Sequence, residues 1–296
     1  MFTKLSDVNK AVIFAVLALA LALVMVPLAA TGGFITTVAY MWSPGIAVLV
    51  MLLVVTRDGF SKEGWKSLGL HRLGLSVWWI AFIAAFLIGV IATAIVWATP
   101  LASFVMPDNL GGEAFEFVIG GLILGTLVIS MGEELGWRGY LLPRLLPLGK
   151  MRALVLVGLI QAAWHMPLIF FTTEIYAPEA NKLIVLPLFV ATIIGESFFL
   201  GPLRLYTGSV WPASLGHSVH NGLVTTLAAF TATSSPIVVY YYLAGDAGIL
   251  IVVGLAVVGI WLAYRFRSSP DIPQDDAPLD ISGGEEPPSS EAPAHG

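Results

Sequence analysis

Long apolar runs separated by short polar stretches organise the chain. The runs are Ala11 to Thr31, Phe34 to Thr56, Val77 to Ala98, Phe117 to Leu142, Ala153 to Phe171, Leu183 to Leu200, Ser209 to Phe230 and Ile249 to Phe266. Each is long enough to cross, or nearly cross, a bilayer as a helix, which needs about 20 residues. The pattern predicts an all-α polytopic membrane protein with about eight transmembrane helices. The first run follows a short basic start and ends near Pro27-Leu28-Ala29-Ala30, like a secretory signal. It exceeds the usual length of a signal's apolar region, so it reads as an uncleaved first span. Ser43-Pro44-Gly45 interrupts the second run, a break that neighbouring helices can accommodate. Arg57 to Leu73 mixes Phe60, Trp65, Leu68 and Leu70 with Lys62, Lys66 and Arg72, as an interfacial segment does. Pro143 and Pro147 are expected to end the fourth span.

Composition agrees: 57% of the 296 residues are hydrophobic, only 11% are charged, and the mean hydropathy is +0.89. Such values lie far from those of soluble domains. There is no cysteine, which removes disulfides, thiolate nucleophiles and thiolate metal ligands from consideration. The net charge of -5 is set by the tail, where Asp271, Asp275, Asp276, Asp280, Glu285, Glu286 and Glu291 lie among Pro, Ser and Gly. That segment reads as disordered. With eight spans and the amino terminus inside, thirteen of the fourteen Lys and Arg residues fall on the inner side, and only Lys182 lies outside. The asymmetry predicts a multi-pass protein of the cell membrane with both termini cytoplasmic. Nothing in the chain suggests nucleic-acid binding. The oligomeric state is not legible.

The polar residues inside the apolar runs are the candidates for chemistry. The stretch from Phe117 carries no charge until Glu133 and Glu134, and Arg138 follows. Charge inside a membrane span marks a functional site by default, although the same charges would also suit a helix reaching the interface. Glu134 and Arg138 are four apart and share a helical face, which leaves Glu133 free. His165 sits in the fifth run, and His217, His220 and Asn221 share one face of the seventh. At a rise of ~1.5 Å per residue, Glu133, His165 and His217 lie roughly 12–15 Å from cytoplasmic helix ends and so share one depth. A carboxylate beside a histidine can activate water, and a second histidine with an amide can hold a developing oxyanion. Alternatively, Glu133, His165 and His217 could bind zinc with one position open for water. His220 and Glu196 read as packing residues. Trp137 and Trp164 read as core or cavity wall.

Three motifs in order resemble the intramembrane CAAX prenyl endopeptidases and bacteriocin-processing enzymes, the CPBP or Abi family. Glu133-Glu134-Leu135-Gly136-Trp137-Arg138 matches E-E-x-x-x-R. His165 matches F-x-x-x-H except that Gln161 stands where Phe is usual, a departure that touches only a packing position. His217 to Asn221 matches H-x-x-x-N. The resemblance implies an all-helical core enclosing a cytoplasm-facing cavity, Glu133 and His165 activating water, and His217 and Asn221 holding the oxyanion. Glu134 and Arg138 would be supporting. It implies an endopeptidase acting on a membrane-associated substrate, CAAX-like or lipidated, in contact with membrane lipid. The preferred form needs no cofactor, and zinc is the alternative. The expected division is 1–111 for the first helices with the interfacial segment, 112–230 for the catalytic core, 231–267 for the last transmembrane helix and 268–296 for the acidic tail. Competing readings are a non-catalytic membrane scaffold or bacteriocin-immunity-type binding protein, and a proton-coupled transporter.

Overall fold

The computed structural model describes residues 5–173 and 175–267, so the expected acidic tail lies outside the described residues. Eleven helical segments carry the argument. They are α1 (Asp7–Ala29), α2 (Phe34–Met41), α3 (Ser43–Val55), α4 (Lys62–Lys66), α5 (Trp78–Trp97), α6 (Leu110–Leu148), α7 (Lys150–Phe171), α8 (Lys182–Thr207), α9 (Trp211–Ala229), α10 (Ile237–Leu243) and α11 (Ile249–Arg265). Two short strands, β1 (Ser103–Phe104) and β2 (Thr231–Ala232), pair antiparallel and tie the ends of α5 and α9 together. The protein is an all-helical, multi-pass membrane protein.

By length and apolarity, five helices among the described residues can cross a membrane: α1, the helix Leu75–Trp97 that contains α5, α6, α7 and α8. The bent pair α2 and α3 makes a sixth if taken as one span. Of the eight expected runs, α9 and α11 therefore form helices but fall outside this set. In α9 the two histidines and Asn221 lower the hydropathy, and α11 has only 17 residues. The expected end at Leu142 is also overshot, since α6 continues through Pro143 to Leu148. Wide π-type turns at Leu135–Leu141 precede that proline, and Pro143 sits in the first turn of the regular segment that follows, where a missing N–H costs least.

The break between α2 and α3 serves the packing. The two helices meet at 41° around Trp42. Pro44 starts α3, and small residues then let α3 press against α6. A Cβ on Gly45 would lie 3.1 Å from the Gly132 carbonyl, and one on Gly136 would lie 2.5 Å from Pro44 Cβ. Close helix approach through small residues is the usual packing device in membranes. Here it brackets Glu133 and Glu134. Behind them lies a core of large aromatics: Trp137 meets Trp164 edge-on at 5.8 Å and Phe14 at 5.9 Å. Two buried polar ends of this core find partners. Trp164 Nε1 donates to Ser43 Oγ at 2.9 Å, and the Tyr40 hydroxyl donates to the Trp164 carbonyl at 2.9 Å.

The basic segment after α3 is strapped across the ends of α8 and α9. Arg204, buried in α8, donates to the carbonyls of Arg138 at 3.2 Å and Ser67 at 2.9 Å. Ser209 Oγ donates to the Arg72 carbonyl at 2.6 Å, and Trp211 Nε1 to the Leu70 carbonyl at 3.0 Å. Gly69 adopts φ +76°, and a Cβ there would fall 2.5 Å from the Gly208 carbonyl, so the crossing requires glycine. At the opposite end of the bundle, Lys182 donates to the Ile169 carbonyl at 3.0 Å, capping the last turn of α7 with positive charge.

Candidate active site

Three helices bring the intramembrane polar residues together. α6 supplies Glu133, Glu134, Trp137 and Arg138, α7 supplies Gln161 and His165, and α9 supplies His217. All seven are buried.

Glu134 is the hub. Its Oε1 accepts from Arg138 Nη1 at 2.8 Å and from His217 Nδ1 at 2.9 Å. Glu134 and Arg138 are both fully buried, so the four-residue spacing on α6 produces an interior ion pair rather than a surface one. The carboxylate can only accept, so His217 carries its proton on Nδ1 and turns Nε2 away. A carboxylate at Nδ1 fixes the tautomer and orientation of an imidazole and stabilises the imidazolium when it forms.

Glu133 projects about 100° around the helix from Glu134, as adjacent residues must at 3.6 residues per turn. Its Oε2 accepts from Trp137 Nε1 at 3.3 Å and from Gln161 Nε2 at 3.3 Å. Among the described residues Oε1 has no hydrogen-bond partner. One oxygen is thus held and the other is available.

His165 donates Nδ1–H to the Gln161 carbonyl, one turn back on α7, at 3.0 Å. A carbonyl offers no proton, so the neutral ring has its lone pair on Nε2. Trp164 and Phe189 meet the ring edge-on at 4.5 and 5.1 Å, which fixes its plane. Both histidines therefore have Nδ1 occupied, and among the described residues neither Nε2 has a protein partner.

Asn221 does not join this network. Its side chain is exposed and, among the described residues, makes no hydrogen bond. It lines a groove of about 270 Å³ with Phe34, Glu116, Ser130, Ser218 and Thr225. The groove adjoins the cluster by sequence: Ser130 is one turn before Glu133 on α6, and Asn221 is one turn beyond His217 on α9. The walls touch where Gly121 faces Gly222, each leaving no room for a Cβ on the other, and where Ser218 Oγ donates to the Gly121 carbonyl.

His220 turns to the other side of α9. Its Nε2 lies 3.2 Å from both Oδ1 and the carbonyl oxygen of Asp246, and 3.8 Å from Glu196 Oε1. These contacts join α9 to α8 and to the segment between α10 and α11. Among the described residues no group of three His, Asp or Glu side chains is arranged to hold a metal ion. Glu133, His165 and His217 therefore do not form the three-donor set that zinc requires.

Two residues have more to do in the network than the sequence pattern shows. Gln161 appears as a packing position but hydrogen-bonds Glu133 and Arg138 through its side chain. Trp137 lies in the core, as expected, and also donates to Glu133. The available signal for Gln161 was its polarity: it is an amide in an apolar run, one turn before a histidine.

Residues 115–223 match the family model described as type II CAAX prenyl endopeptidase Rce1-like. This is the family that the three motifs resemble, and the matched stretch contains every residue from Glu133 to Asn221. No curated protein matches the chain. The family supports a CAAX-protease-like enzyme working in the membrane on a membrane-associated peptide.

Proposed function

We propose that the chain is an intramembrane endopeptidase that hydrolyses a peptide bond of a membrane-associated, CAAX-like or lipidated substrate with water activated by Glu133 and His165. The observation that carries this reading is the state of the reactive atoms. Glu133 is buried with one oxygen fixed by two donors, and His165 and His217 each have Nδ1 tied and, among the described residues, Nε2 unpartnered. Such an arrangement orients bases without using up their reactive positions.

The steps follow from the donors and acceptors. Glu133 Oε1 takes a proton from water while His165 Nε2 accepts the second water hydrogen as a hydrogen bond. The hydroxide oxygen attacks the carbonyl carbon, and the carbonyl oxygen becomes an oxyanion. His217, paired with Glu134, donates Nε2–H to that oxygen in its imidazolium form. Asn221 supplies a second donor from the groove wall, one turn along α9. Glu133 then passes its proton to the leaving amine, and the C–N bond breaks. Catalysis needs no covalent enzyme intermediate.

We also place both termini on the cytoplasmic face of the cell membrane. Supporting this are the basic residues that would gather on one side if all eight runs span, and the straps of Arg204, Ser209 and Trp211 that hold the basic segment onto the ends of α8 and α9. A topology reporter fused after Arg267 should report the cytoplasm, and a reporter active outside would overturn the orientation.

The central test is cleavage by detergent-purified protein, with membrane peptides identified by proteomics. Glu133→Gln keeps the shape but cannot take a proton, and a loss of about 10²–10⁴ in rate is expected. Asn221→Ala removes one oxyanion donor, for which a loss of about 10²–10³ is expected. Cleavage should persist after chelation. If the purified chain instead carries about one zinc ion and chelation abolishes cleavage, a metal-generated nucleophile replaces this mechanism. Cleavage undiminished in Glu133→Gln would defeat the reading altogether.

A further inference from the structure

The reaction assigns no role to Gln161, yet it hydrogen-bonds three members of the site at once. Gln161 is fully buried in α7. Its Nε2 donates to Glu133 Oε2 at 3.3 Å, its Oε1 accepts from Arg138 Nη1 at 2.9 Å, and its backbone carbonyl accepts from His165 Nδ1 at 3.0 Å. The orientation of the amide is dictated by its partners. Turned over, it would set an oxygen against a carboxylate and an N–H against a guanidinium. A phenylalanine at this place, the usual residue in the motif, could make neither side-chain bond.

We infer that Gln161 is a positioning residue of this chain: it ties Glu133 to Arg138 across the α6–α7 interface and holds the carboxylate with Oε1 toward the water. Resting on the peptidase reading, this deepens it. Without Gln161, the one partner Glu133 keeps among the described residues is the Trp137 indole N–H, which comes from its own helix and cannot fix it relative to α7. The carboxylate then turns about its last bond, and the His165 lone pair and Glu133 Oε1 no longer address one water. Gln161 is fully buried and does not line the groove that holds Asn221, so its loss is expected to act on the reacting carboxylate rather than on substrate contacts.

The test is Gln161→Met, which keeps length and burial and removes both hydrogen bonds. A misplacement of about 1 Å in a reacting group can cost about 10²-fold, and a fall of that order is expected in kcat with KM changed by less than about threefold. A second reading needs no turnover. Trp137 shares Glu133 Oε2 with Gln161, so its indole ¹⁵N–¹H resonance, assigned by its absence in Trp137→Phe, should move in Gln161→Met. If the methionine variant does not fold, Gln161→Asn, one methylene short, should show the same fall and the same shift. Parental kcat in a folded variant, a loss confined to KM, or an unmoved Trp137 resonance would each overturn the inference. The two proposals fail separately. Full cleavage by Glu133→Gln defeats the peptidase mechanism, while the Trp137 resonance still decides whether Gln161 holds Glu133.

Discussion

His217 and His220 stand one turn apart on α9, and each meets carboxylates, but their surroundings differ. His217 faces Glu134 at 2.9 Å, and Glu134 is in turn fixed by Arg138 at 2.8 Å, with every side chain almost fully buried. His220 faces Asp246 at 3.2 Å and Glu196 at 3.8 Å, and the Asp246 side chain is 55% exposed. In the first cluster, Glu134 Oε1 and Arg138 Nη1 are held by short contacts from three helices, while Glu134 Oε2 and Arg138 Nε and Nη2 are buried without a partner among the described residues. In the second, one partner remains in contact with solvent and the geometry is looser. Burying charge demands pairing, and pairing fixes atoms. A site that must aim an N–H at a developing oxyanion gains from that rigidity, whereas an anchor between a helix and a loop does not need it.

The largest effect that separates the clusters should come from Arg138→Ala. It leaves Glu134 buried with only His217 as partner, and breaking a buried pair from one side costs about 3–5 kcal/mol. The folded yield and the thermal midpoint in detergent should fall well below those of Glu133→Gln, which removes a charge without stranding one. Equal midpoints for the two variants would show that Arg138 is no more needed for folding than Glu133, and the contrast between a rigid and a loose cluster would lose its energetic basis.

What the sequence made legible follows the same division. The Glu134–Arg138 pair is a local, four-residue spacing, visible before any fold is known. So is the break at Ser43-Pro44-Gly45, which becomes the 41° bend. Glu133, His165 and His217 stand out because polar residues in apolar runs are rare. Gln161 carried the same mark, but its role depends on α7 approaching α6 at one rotation, and periodicity does not fix that rotation. Asn221 shows the limit from the other side. Its spacing from His217 puts both on one face of α9, yet helix α6 packs so that His217 turns inward and Asn221 lines the neighbouring groove. His220 belongs to the same turn and finds Asp246, a residue 26 positions away whose approach is set by α10 and the turn after it. Span counting was least secure where polar function and apolarity compete: α9 carries two histidines and an asparagine and drops below the apolarity of a spanning helix for that reason.

The smallest effect should come from the second cluster, and a double-mutant cycle between His220→Asn and Asp246→Asn measures it directly. Asp246 is more than half exposed, so water screens the pair and competes for its hydrogen bond. Exposed ion pairs typically contribute about 0.2–1 kcal/mol, and the coupling energy of the cycle should fall in that range. The Asp246 carbonyl also lies 3.2 Å from His220 Nε2, so Asp246→Asn keeps one of the two contacts and the anchor survives. Cleavage by Asp246→Asn should remain within about threefold of the parent, because no reacting atom is touched. A coupling well above 1 kcal/mol, or a loss of cleavage comparable with that of Glu133→Gln, would mean that the loop anchor is part of the catalytic assembly. The two histidines of α9 would then serve a single site rather than two.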